Sequence, residues 1–391
     1  MRKLLHCLII SLLLQTTIWA LGEKKLIGIE VERSGDVKFS PLSSTRINSQ
    51  NKFNVSVDPR IELLSVIQLL SGYVVGASLV NTDATTYRRD LDVYFAAHRG
   101  HLAVMIFAKI YPKGFRFDVP PKAMLYFSDP PELIERQPVP DDIMQKAGGE
   151  EQFSQFINAL RDFARKTKFM KFYNAHRKNY QRMVEGMRER TKSIDLVGVL
   201  ENYYGMKQHS YNVMLMPLTI ELGYGVNVQR SDETLDIYQM IGRSTVKNGS
   251  PVFGEGGTFT LQNIVWHEFS HSFVNPLTTK HKAEVLKYAS LYEPISQQMK
   301  AQAYPDWERA VNEHIIRALT SRFAAREINK EVGEKELQED KKKGFIYIEP
   351  LIERLKEYEN QRDKYRTFAE FYPHLIDVFR KIQESDSREK L

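Results

Sequence analysis

Apolar residues alternate with polar ones in some stretches of the chain and recur every three to four residues in others. Leu26–Val31 is rich in β-branched residues and Phe53–Val57 alternates, so both predict strands. Asp58-Pro59 then predicts a helix start, with Asp as N-cap and Pro at the first helical position. Ile61, Leu64, Ile67 and Leu70 follow, with a stop at Gly72; apolar on most sides, this helix is expected to be buried. Residues 90–127 are expected to mix a helix around Leu102–Ile110 with short strands. Prolines at 120, 121, 130, 131, 138 and 140 predict a loop or linker over 128–150.

From Glu151 the period becomes helical. Phe153, Phe156, Ile157, Leu160, Phe163 and Ala164 fall on one face. A basic helical stretch from Lys166 to Lys192 reads as a solvated face rather than a binding patch. Tyr211–Met216, Tyr224–Val228 and Leu235–Met240 are the next candidate strands, residues 261–330 are mostly helical, and 350–383 form one or two further helices. Glu331–Lys343 is so charged that it is expected to be exposed. The pattern implies an α+β fold with a small mixed sheet and a largely helical second subdomain. It divides the chain into a segment over 1–22, an N-terminal α+β region over 23–150, a central region over 151–330 and a C-terminal helical extension over 331–391.

The first segment has the pattern of an address. Basic Arg2-Lys3 precedes an apolar run to Trp19, small residues stand at Ala20 and Gly22, and charge resumes at Glu23. This predicts a secretory signal peptide cleaved near Gly22, and so an exported protein, periplasmic or extracellular. Cys7, the one cysteine of the 391 residues, leaves with it, which excludes disulfides, Cys-based zinc sites and a cysteine nucleophile. No later stretch is long and apolar enough to span a bilayer, so no stable membrane span is expected after signal removal. The net charge of +6 is too small to imply a nucleic-acid partner.

Chemistry concentrates in one uncharged stretch. His267-Glu268-Phe269-Ser270-His271 has the pattern H-E-x-x-H, between a plausible N-cap at Thr260 and an expected stop at Asn275-Pro276. On a helix, positions i and i+4 share a face, so both imidazoles reach one ion, and zinc accepts neutral imidazole nitrogen. Glu268 lies one step round the helix, placed to act as general base on an activated water without being a ligand. Trp266, Phe269 and Phe273 give the helix faces to bury. Two buried histidines and a glutamate without a partner would be costly, and a metal removes that cost.

A catalytic zinc needs a third protein ligand. Position 277 is Leu, so a third histidine at metzincin spacing is excluded. Carboxylates on a second helix remain: Glu284, Glu293 and Glu313. Glu313 is favoured over Glu293, because it sits in a strong helical pattern from Trp307 to Ala318, with Arg317 one turn on to orient it. Tyr224, Tyr288, Tyr304 and His314 are candidates to stabilise an oxyanion, and the sequence selects none of them. In His98-Arg99-Gly100-His101 the glycine weakens any helix that would align two ligands, so a structural His101 and an exposed His98 are expected.

With His267-Glu268-Phe269-Ser270-His271, Phe273, Asn275-Pro276 and the later Asn312-Glu313 in hand, the chain resembles the glutamate-zincin (gluzincin) clan of metallopeptidases. More closely, it resembles a bacterial domain-of-unknown-function family of exported zincin-like peptidases, through Asp58–Leu63, Tyr94-Phe95, His101–Val104, Pro217 and Gly223–Gly225 as well. The resemblance covers about residues 50–330. It implies a zincin-like fold, zinc ligands His267, His271 and Glu313, and a base at Glu268. It also implies a peptide or protein substrate laid along a sheet edge, for which Gly223–Val228 is the candidate. The expected activity is that of a zinc metallopeptidase. Rival expectations are a zinc hydrolase of a non-protein, cell-wall type amide, and a non-catalytic cell-surface binding protein with a structural zinc.

Overall fold

The computed structural model describes residues 53–73, 85–220, 223–255 and 260–389. The expected signal peptide and the strand at 26–31 lie outside them. The first described elements are strand β1 (Phe53–Ser56) and helix α1 (Pro59–Leu70). Asp58 Oδ1 accepts the Arg60 backbone N–H at 2.9 Å, which caps α1, and Gly72 ends it with φ of +71°. Eight helices follow: α2 (Thr86–Phe95), α3 (Leu102–Ile110), α4 (Val119–Met124), α5 (Asp141–Lys146), α6 (Glu150–Lys166), α7 (Phe169–Ala175), α8 (Arg177–Thr191) and α9 (Leu196–Tyr204). The six apolar positions that predicted α6 are all buried.

Two expectations for this region are corrected. The short strands expected within 90–127 are replaced by helices; Tyr87, Leu91 and Phe95 are buried one turn apart, the spacing of a helix face. Among the described residues only one isolated bridge, Phe127 to Glu135, has strand character there. The stretch 128–150 is not a linker, because Leu133, Val139 and Ile143 are buried and α5 starts directly after Pro140. The prolines punctuate a packed segment.

The sheet is mixed, as expected. It contains β1, β2 (Ser210–Ile220), β3 (Gly223–Gln229), β4 (Leu235–Lys247) and β5 (Ser250–Phe253), in the order β1-β2-β4-β3 with β5 pairing farther along β4. β1, β2 and β4 run parallel, and β3 and β5 are antiparallel to β4. Among the described residues β3 pairs with β4 alone, so its other side is a sheet edge.

Helices α10 (Leu261–Lys280), α11 (Lys282–Leu286), α12 (Ser296–Ala301), α13 (Trp307–Glu327), α14 (Lys330–Lys342), α15 (Ile348–Asn360) and α16 (Phe368–Glu389) complete the chain. The Thr260 side chain accepts the Asn263 N–H at 3.1 Å and caps α10 as expected. The expected stop at Pro276 is corrected: α10 continues to Lys280. Pro276 itself is exposed, while Leu277 and Thr278 beyond it are buried, with the Thr278 hydroxyl held by Asn312 and Tyr372. Those contacts outweigh the missing backbone donor. α14 brings a fourth correction, since Gly333, Glu336 and Asp340 of this highly charged helix are buried.

One apolar core runs from Val55 to Phe379 and surrounds α10. Trp266 donates its indole N–H to Leu196 O at 3.3 Å, Phe273 stacks on Tyr204 at 4.2 Å, and Phe269 meets Phe53 and Tyr211 edge-on. Among the described residues no helix is long and apolar enough to cross a membrane.

Candidate metal centre

α10 turns His267 and His271 toward α13, which presents Glu313. The three side chains are buried and their potential ligand atoms lie within 4.8 Å of one another, a group that could hold a metal ion. Nε2 of His271 lies 3.3 Å from Nε2 of His267. Glu313 Oε1 is 3.4 Å from His271 Nε2, and Glu313 Oε2 is 3.5 Å from His267 Nε2. Each imidazole nitrogen thus faces its own oxygen of one carboxylate.

The electrostatics favour the ligand form of both imidazoles. Burial pushes His267 well below its ordinary pKa, and the charges of Arg317, His271 and Lys343 add to the effect. Burial likewise pushes His271 down to about 3, opposed by a hydrogen bond to Asn275 and assisted by Arg317. Both imidazoles are therefore neutral near pH 7, the form that donates a lone pair. His271 Nδ1 faces Asn275 Oδ1 at 3.3 Å; a proton on Nδ1 leaves Nε2 free to ligate. Burial pushes Glu313 up to about 7, against the opposing pull of Arg317 and of a hydrogen bond from Tyr304. Among the described residues its Oε2 makes no hydrogen bond, although Arg317 Nη2 stands 3.2 Å away as an ion pair. An acid so deeply placed beside two lone pairs calls for a cation.

Glu268, the expected base, is not one of the three converging residues. It is buried under the edge strand: a Cβ placed on Gly225 would lie 2.7 Å from Glu268 Oε2 and 3.2 Å from its carbonyl oxygen. Two residues along β3, Asn227 Nδ2 donates to Ser272 Oγ at 3.3 Å. Two strand residues advance about 6.6 Å and four helical residues about 6 Å, so β3 tracks α10 in step. Glycine at 225 lets the strand lie directly on the carboxylate.

The other candidates separate clearly. Glu284 and Glu293 are exposed and stand outside the group. Tyr304 is buried, with its hydroxyl 3.5 Å from Arg317 Nη2, beside the centre. Tyr224 points to the opposite face of β3, into a small cavity with Tyr73 and Phe117. His314 donates from Nδ1 to Ala310 O at 2.7 Å and packs on Phe345 and Tyr347. Tyr288 is half-buried near the start of a 3-10 turn at Ala289–Ile295. His101 caps α3 and meets Asp162 at 3.1 Å, and His98 is half-buried rather than exposed.

Two acids near the centre escaped the sequence reading. Asp340 accepts from Arg317 Nη1 at 2.6 Å, and Glu336 accepts from Thr260 at the start of α10. Their signal was the spacing of Gly333, Glu336, Leu337 and Asp340, which share one helical face. It was masked by the charges around them.

The chain belongs to the family described as Domain of unknown function (DUF4932), which matches residues 53–378. No curated protein and no solved structure matches it.

Proposed function

We propose that this protein is an exported, zinc-dependent metallopeptidase of the gluzincin type, with His267, His271 and Glu313 as metal ligands and Glu268 as general base. The observation that carries the reading is the convergence of two imidazole nitrogens, 3.3 Å apart, on one carboxylate whose Oε1 and Oε2 lie 3.4 and 3.5 Å from His271 and His267. Ligands about 2.0–2.1 Å from a tetrahedral zinc are separated by about 3.3–3.4 Å, so donor atoms at these separations suit one shared ion. Two neutral nitrogens and one carboxylate are a donor set that suits zinc better than calcium or magnesium, which favour oxygen. Three protein ligands leave the fourth position to water or substrate, as in catalytic rather than structural sites.

Zinc, when bound, supplies a Lewis acid that polarises a scissile carbonyl and lets water be deprotonated near neutral pH. The chain's own residues do the rest. Glu268 takes the proton of the attacking water. It delivers that proton to the leaving amine as the water oxygen joins the carbonyl carbon and the C–N bond breaks. Among the described residues one side of β3 is unpaired, and its backbone donors and acceptors suit an extended peptide, which favours a peptide over a cell-wall amide as substrate. Export rests on the basic, apolar and small-residue pattern of residues 1–22.

Glu268→Gln tests the assignment. The variant should retain zinc by elemental analysis and lose about 10²–10⁴-fold in kcat on a mixed peptide library. Full activity in that variant would exclude Glu268 as the base.

A further inference from the structure

α14 carries two buried acids one turn apart, and they reach the two helices that hold the candidate metal-binding group. Gly333 sets the approach: a Cβ there would lie 2.6 Å from Ala325 Cβ and 2.7 Å from Ser321 O, so only glycine lets α14 lie this close to α13. Glu336 accepts the Thr260 backbone N–H at 3.3 Å and the Thr260 hydroxyl at 3.4 Å, and it also accepts from the Asn263 amide. It therefore holds the first turn of α10. Asp340, 2% exposed, accepts from Arg317 Nη1 at 2.6 Å, with Lys343 Nζ 3.8 Å from the same oxygen. Arg317 Nη2 then stands 3.2 Å from Glu313 Oε2, and the guanidinium lies 4.2 Å over the ring of Phe345.

We propose that Asp340 is a positioning residue for the metal centre, acting through Arg317 on Glu313. The inference rests on the metal reading above. An arginine beside a dication is a liability in two respects. Its charge repels the ion, and its planar fork can grip both oxygens of a carboxylate. Asp340 counters both. It occupies Nη1, so only Nη2 faces Glu313, and its negative charge offsets the guanidinium. Glu313 keeps a fixed orientation while Oε1 remains turned to His271. In this arrangement α14 sets the affinity of the centre without supplying a ligand.

The test compares the full chain with Asp340→Asn, Arg317→Met, the double variant and Glu336→Gln. Zinc affinity is read by chelator competition, ligand geometry by the visible spectrum of the cobalt(II) form, and folding by thermal unfolding. Asp340→Asn should weaken zinc about 10–100-fold and change the cobalt spectrum, the range seen when support of a metal ligand is lost. In the Arg317→Met background the same change should have no effect on affinity, because the charge it compensates is gone. Glu336→Gln should alter unfolding and leave the cobalt spectrum unchanged. A folded Asp340→Asn with wild-type affinity and spectrum overturns the proposal, as does an equal loss with and without Arg317. Should Asp340→Asn not fold, the Arg317→Met and double variants decide, since the proposal requires them to bind zinc alike. A wild type that takes up no zinc overturns the metal reading and this inference together; a wild type that binds zinc while Asp340 is silent overturns the inference alone.

Discussion

Two of the buried acids, Glu62 and Glu313, resolve the cost of burial differently. Glu62 of α1 is 1% exposed; Tyr87 donates to its Oε2, and Tyr180 donates to Tyr87 at 2.9 Å. Among the described residues its Oε1 has no hydrogen-bond partner. The nearby Arg60 is committed to Asp58 at 2.7 Å and to Phe127 O at 3.0 Å. With phenols rather than cations around it, burial pushes Glu62 up to about 8, and repulsion from Asp58 adds to that against the Tyr87 hydrogen bond. A proton is its solution. Glu313 is equally buried and also raised, yet two neutral imidazole nitrogens and a guanidinium converge on it. A raised carboxylate alone therefore does not mark a site. Lone pairs from separate elements aimed at the same point do.

That contrast breaks most sharply on the proposed ligands. His271→Ala should lower zinc affinity by well over the ~10–100-fold that a supporting contact contributes, and abolish hydrolysis. Glu62→Gln should leave metal content at the wild-type level. Elemental analysis and chelator competition on both proteins make the comparison, and equal zinc in wild type and His271→Ala would dissolve it.

A smaller effect is expected at Gly225. Alanine there puts a methyl 2.7 Å from Glu268 Oε2 and 3.2 Å from the carbonyl oxygen of the same residue. The carboxylate end can swing away, but the backbone contact cannot relax without moving β3 or α10. Displacing a base by roughly 1 Å costs up to about 10²-fold, so Gly225→Ala should lose about 10–100-fold in kcat with zinc retained. Unchanged kcat would show that β3 does not fix the position of Glu268.

These residues also differ in how far the sequence revealed them. His267 and His271 announce themselves by a local rule, four residues apart on a helix whose cap and apolar faces are plain. Glu313 needs a second helix, and its periodic pattern from Trp307 made that helix legible too. What failed were inferences from local composition where tertiary contacts decide. Pro276 predicted a stop, yet buried Leu277 and Thr278 carry α10 past it. The charges of Lys330–Lys342 predicted a solvated helix, and hid an inner face of Gly333, Glu336 and Asp340 that pairs with residues far away in sequence. The prolines of 128–150 predicted a linker, because backbone stiffness is visible in a sequence and the partners of Leu133 and Ile143 are not.

The mildest way to sharpen the comparison uses pH. A carboxyl whose folded pKa is about 8, against about 4.5 when exposed, binds more protons in the folded state between those values. Its stabilising contribution is complete below about pH 4.5 and is lost as pH rises through about 8, with a slope of up to about 1.4 kcal/mol per pH unit. Glu62→Gln cannot ionise, so the variant should lose this slope and gain on the wild type as pH rises from 5 to 8. Denaturant unfolding of both proteins at several pH values, with zinc held constant, reads the difference. Parallel stability curves across that range would mean that Glu62 is already charged when buried. The two acids would then no longer differ in kind, and a cation near Glu62 would have to be sought.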